Sequence, residues 1–169
     1  MEKTLRFRKL ATALFIALLL AGWGWAEDKT MNESKMVTHQ NYNLMGDSIG
    51  LVGYDPVAYF PEGGGRPAKG LISISTEHDG VTYRFVSQEN LNLFKKNPEK
   101  YLPAYGGWCA WAVPALGKRV DVDPQSFEIR NGKLYVFYRD KSLDTRSLWL
   151  KDADGFITKG TEKWPELSR

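Results

Sequence analysis

The sequence predicts an α+β fold: one small domain with two β-hairpins forming antiparallel sheet, and several short helices. Three observations carry this reading. Period-two apolar segments flank Asp79-Gly80, a second such pair flanks Asn131-Gly132, and a capped apolar stripe follows Ser87, with Leu143, Leu148, Trp149 and Leu150 suggesting a further helix.

Taken in order, the chain changes texture at Ile49, where Leu51, Val52 and Tyr54 lead into Asp55-Pro56-Val57-Ala58-Tyr59-Phe60. Pro61 to Pro67 is a turn by its glycine and proline content. Leu71 to Ser75 and Val81 to Phe85 then alternate, and Asp-Gly is a preferred hairpin turn pair, which puts His78 at the tip. Ser87 sits at a helix N-cap position ahead of Leu91, Phe94 and Tyr101, and Asn97-Pro98 restarts the chain as a second short helix. Gly106-Gly107 precedes the apolar run Trp108 to Val113, which reads as a buried helix with Cys109 in its first turn. Phe127 to Arg130 and Leu134 to Tyr138, joined by Asn131-Gly132, form the second hairpin. Leu143 to Leu150 suggest one more helix, and Phe156 and Ile157 another before Trp164-Pro165.

The first 26 residues have the plan of a secretory signal: basic Lys3, Arg6, Arg8 and Lys9, an apolar stretch from Leu10 to Ala21, and small residues at Gly24 and Ala26. Cleavage is expected before Glu27, with the product periplasmic or secreted. The apolar stretch is shorter than the roughly 20 residues of a spanning helix, so no membrane attachment is expected after cleavage. The signal also holds the chain's whole net charge of +3, leaving the remainder neutral. A neutral domain without a basic run has no electrostatic footprint for nucleic acid. Residues 27–46 are polar and unpatterned, and read as a mobile arm containing Met31, Met36, His39 and Met45. The domain proper is expected over 47–169.

The motifs from Gly53 to Phe60, His78 to Phe85, Asn97 to Tyr101, Tyr105 to Ala110, Asn131 to Tyr135 and Trp164-Pro165 resemble those of exported YHS-domain proteins. YHS domains occur in metal-transporting ATPases and beside metal-dependent oxygenases, so the resemblance implies handling of a transition metal. The thiols of the metal-binding version are missing. Its Asp-Pro-Val-Cys-Gly-Met is here Asp55-Pro56-Val57-Ala58-Tyr59-Phe60, and its Phe-Cys-Ser-x-x-Cys is Phe85-Val86-Ser87-Gln88-Glu89-Asn90.

Cys109 and His78 are what remains. Thiolate and imidazole suit copper or zinc, cuprous copper being the less demanding in ligand number, and Asp79, Asp121, Asp123 or a second chain could complete the shell. In the opposing reading Cys109 is a small buried hydrophobe and His78 an exposed turn residue. Met36 and His39 offer a second, thiol-free set of copper ligands in the arm. No histidine and methionine follow Cys109 as a blue-copper site requires. No catalytic constellation is present either, so an enzyme is not expected. The expected function is thus an exported protein binding a transition metal, copper first. The alternatives are a small-ligand or protein-interaction module using the aromatic cluster, and a thiol redox protein with Cys109 activated at a helix N-terminus.

Overall fold

The computed structural model describes residues 41–169. The expected signal segment, Met31, Met36 and His39 lie outside the described residues. Among the described residues no helix is long and apolar enough to cross a membrane. The elements are β1 (Leu44–Met45), β2 (Ile49–Gly50), β3 (Leu71–His78), β4 (Val81–Phe85), α1 (Gln88–Lys96), α2 (Pro98–Tyr101), α3 (Ala112–Leu116), β5 (Asp123–Arg130), β6 (Lys133–Phe137), α4 (Thr145–Trp149) and α5 (Ala153–Leu167).

Both hairpins form where their turn pairs place them. Asp79 and Gly80, and likewise Asn131 and Gly132, hold positive φ, the conformation that a two-residue turn needs to match the strand twist. The hairpins lie in separate sheets. One sheet has the order β1-β2-β4-β3, with β2 parallel to β4, and the other consists of β5 and β6. Ser87 caps α1 by accepting from the Asn90 N–H, and Pro98 opens α2, as expected.

Three expectations need correction. The arm assigned to 27–46 is folded over its last six residues: Leu44 and Met45 pair with Gly50 and Ile49, and the Asn43 N–H donates to the Gly106 carbonyl at 2.9 Å. Two-residue strands are too short to carry a periodicity by which they could be predicted. Second, Cys109 is not in a helix. Gly106 and Gly107 hold φ of +61° and +86°, and a Cβ on Gly106 would lie 2.0 Å from the Asn41 carbonyl oxygen. The glycines therefore make a turn against the incoming chain, and the helix waits until Ala112. Third, α5 continues through Trp164-Pro165 to Leu167, because a proline in the last turn removes only one helical bond.

The core has two clusters, and β6 stands between them. Leu134 and Val136 join Val57, Tyr83, Phe85 and Phe94, whereas Tyr135 and Phe137 join Val113 and Trp149. Successive residues point to opposite faces of a strand, and here both faces are covered.

Asp55 ties the first cluster together. It is fully buried, and its carboxylate accepts from the Val57 and Ala58 N–H groups at 2.8 and 3.2 Å, the Val86 N–H at 2.9 Å and the Asn90 side-chain amide at 2.7 Å. A buried carboxylate persists only when its acceptor sites are filled, and these four donors fill them. Replacing Asp55 by Ala strands the Val57 and Val86 N–H groups and the Asn90 amide, while the Ala58 N–H keeps its 3.2 Å bond to the residue-55 carbonyl. Urea unfolding should show a loss of about 3 kcal/mol or more for Asp55→Ala, and a smaller loss for Asp55→Asn.

On the surface, Glu62 accepts from Lys100 and from the Tyr101 hydroxyl. Chiefly through the Lys100 hydrogen bond, its carboxyl is held below its ordinary value of 4.5. A depressed folded value gives stability that is complete above the unfolded value and lost as pH falls through the folded one. The melting-temperature gap between the native protein and Glu62→Gln should therefore be constant near neutrality and close as pH drops below 4.5.

Candidate functional site

His78 ends β3 directly before the Asp79-Gly80 turn, which fixes its ring at the hairpin tip. The ring stands edge-on to Phe94 of α1, with centroids 5.9 Å apart. Five residues beyond Phe94, Glu99 lies in the first turn of α2 and reaches the same place. His78 Nε2 is 3.6 Å from Asp79 Oδ2 and 3.5 Å from Glu99 Oε1. Those separations exceed the ~2.7–3.2 Å of an N–H···O hydrogen bond, and Nε2 is buried without a hydrogen-bond partner. One ligand atom from each of the three residues lies within 4.8 Å of the other two.

Asp79 and Glu99 also border a cleft of about 840 Å³, whose walls include Tyr42, Tyr105, Lys133, Tyr135 and Trp164. The Tyr105 and Trp164 rings are 5.9 Å apart, and α5 approaches closely there because Gly160 leaves room for the Tyr105 hydroxyl. Lys133 Nζ donates to the Glu99 carbonyl at 3.4 Å. Burial pulls the Lys133 ammonium below its ordinary value, opposed by the Glu99 charge. Burial, reinforced by Asp79 and Glu99, pushes the Tyr42 phenol up, and burial raises Tyr105 to about 12. The phenols are therefore neutral hydrogen-bonding groups at physiological pH.

Cys109 is placed elsewhere, and its surroundings are those of core. It is fully buried beside α4, its Sγ accepting from the Tyr138 N–H at 3.3 Å and lying 3.3 Å from Thr145 Oγ1. The single hydroxyl proton of Thr145 goes to the Tyr138 carbonyl at 2.8 Å. Sγ, Thr145 Oγ1 and the Tyr138 backbone thus form one closed loop of contacts in the core. Cys109 is not in the group around His78. Its burial, and its position ahead of the five-residue α3, remove both the access and the helix terminus that a redox thiol was expected to have. Of the carboxylates considered as partners, Asp79 is beside His78, whereas Asp123 is held by Arg139 at 2.8 Å. Met36 and His39 lie outside the described residues.

Sequence reasoning missed Glu99, Lys133 and Tyr42. Glu99 follows a proline at a helix start, where an acidic residue is ordinary, and nothing local links it to His78. Most of the aromatic cluster, including Tyr59, Phe60, Tyr83 and Phe85, is core as expected. Compared with protein-family models, curated proteins and solved structures, the chain finds no match in any of the three. The resemblance to YHS-domain proteins accordingly rests on the sequence motifs.

If Cys109 is a packing residue, iodoacetamide should modify it only as fast as the protein unfolds. The rate should rise with urea in step with the loss of tertiary structure. Rapid modification of the native protein would contradict this placement.

Proposed function

We propose that this protein binds a divalent transition metal outside the cytoplasm, through His78, Asp79 and Glu99. The observation that carries the reading is the buried, unpartnered His78 Nε2 with a carboxylate oxygen on either side at 3.5 and 3.6 Å. Ligand atoms ~2.1 Å from a tetrahedral ion are separated by ~3.4 Å, so these spacings are too long for direct hydrogen bonds and suited to an ion between them. Asp79 and Glu99 are largely exposed, which leaves both side chains free to adjust around a cation. One imidazole and two carboxylates suit zinc or cupric copper, whereas cuprous copper prefers sulfur. The signal pattern and the YHS-like motifs support export and metal handling respectively. In this reading copper remains a candidate in its oxidised form, and Cys109 takes no part.

Titration of the metal-free protein with zinc and with cupric ions, followed calorimetrically, tests the proposal. A single site is expected. His78→Ala should weaken it by more than about 100-fold and Glu99→Gln by about tenfold or more, since even the outer partners of metal ligands contribute about 10- to 100-fold. Cys109→Ala should bind as the native protein does. Equal affinity in His78→Ala, Glu99→Gln and the native chain would overturn the reading.

A further inference from the structure

Lys133 and the rings beside it are not used by the three metal ligands, yet they border the same cleft as Asp79 and Glu99. An ammonium has three donors, and Lys133 Nζ uses one, in a long bond of 3.4 Å to the Glu99 carbonyl. Around it the cleft wall is mixed: Leu102, Pro103 and the half-buried Trp164 are apolar, Asn41, Thr161 and Ser168 are polar, and Tyr105 and Tyr135 border it from the core. Its volume of about 840 Å³ falls within the ~300–1,000 Å³ of small-molecule sites. Three protein ligands also leave a metal with at least one coordination position for an outside group, as in zinc sites that keep an open place.

From this juxtaposition we infer that the cleft is a binding site for a small aromatic carboxylate, its ring against Trp164 and its anionic head shared between Lys133 and the metal. The inference rests on the metal reading above. It also fixes an order of charge. Without a metal the Asp79 and Glu99 carboxylates repel an anion at the cleft, and with a dication present that repulsion is cancelled. Metal and carboxylate should therefore bind cooperatively, each tightening the other by the same factor.

The test uses the full chain and 2-naphthoate, with neutral 2-naphthylmethanol as the matched control, by calorimetry with zinc present and after its removal by a chelator. Zinc alone is titrated first. The zinc-loaded protein should take up 2-naphthoate about tenfold more tightly than the alcohol, and about tenfold more tightly than the zinc-free protein does. Lys133→Met should abolish the preference for the acid, Lys133→Arg should retain it, and thermal unfolding of both variants checks that the fold persists. If zinc binds but acid and alcohol bind equally, or neither binds, this inference fails and the metal site stands. Failure of zinc itself to bind overturns both.

Discussion

The buried carboxylate of Asp55 is the constraint on which the arrangement of this protein depends. Its four donors come from three separate stretches: the turn that follows it, the residue leaving β4 and the first turn of α1. No cation is needed, because hydrogen bonds to a carboxylate are charge-assisted and four of them replace its hydration. Fixing Val86 and Asn90 to one anchor sets the angle at which α1 leaves the sheet. Phe94 then packs on Tyr83 and Phe85, and meets the His78 ring edge-on. Glu99 arrives beside His78 because it is the next turn of the same path. The candidate site thus inherits its geometry from a carboxylate that takes no part in it.

A second constraint is the double burial of β6. With Leu134 and Val136 on one face and Tyr135 and Phe137 on the other, the strand welds two modest clusters into one folded unit. The backbone around it is used as well, since the Ala110 N–H donates to the Val136 carbonyl. Tyr138, just past the end of the strand, supplies both the N–H that reaches Cys109 and the carbonyl that takes the Thr145 proton. Cysteine suits this position because it offers a weak donor and a weak acceptor in a small apolar volume. The lone thiol is explained by packing and bonding, without reactivity.

Features written into a few consecutive residues were legible in the sequence. Asp79-Gly80 and Asn131-Gly132 accept positive φ readily, and so mark their hairpins without help from distant contacts. Ser87 and Pro98 mark their helices for similar local reasons. What escaped depends on partners far along the chain. Gly106-Gly107 looks like a helix lead-in until Asn41 is known to press against it. The β1–β2 pairing is too short to have a period, and Ile49 meets Thr82 only through a parallel bridge. Within the candidate site, the half that is adjacent in sequence, His78 and Asp79, could be read. Glu99 could not, because only the packing of α1 on the sheet brings it there.

The positions where the metal-binding YHS version has cysteines show why thiolate chemistry cannot simply be transferred. Ala58 is buried among backbone donors that serve Asp55, and Asn90 spends its side-chain amide on the same carboxylate. Both positions are structural here, as is Val86 through its N–H, and a thiolate at any of them would lie close to the buried Asp55 carboxylate. The surface tip of the first hairpin has the opposite character. There His78 Nε2 is buried beside the exposed carboxylates of Asp79 and Glu99, and those two border the cleft. Oxygen and nitrogen donors are also unaffected by the oxidising conditions that consume exposed thiols. On the proposed reading the protein separates two roles, a carboxylate locked in the core to hold the shape and carboxylates left free at the surface to meet a metal.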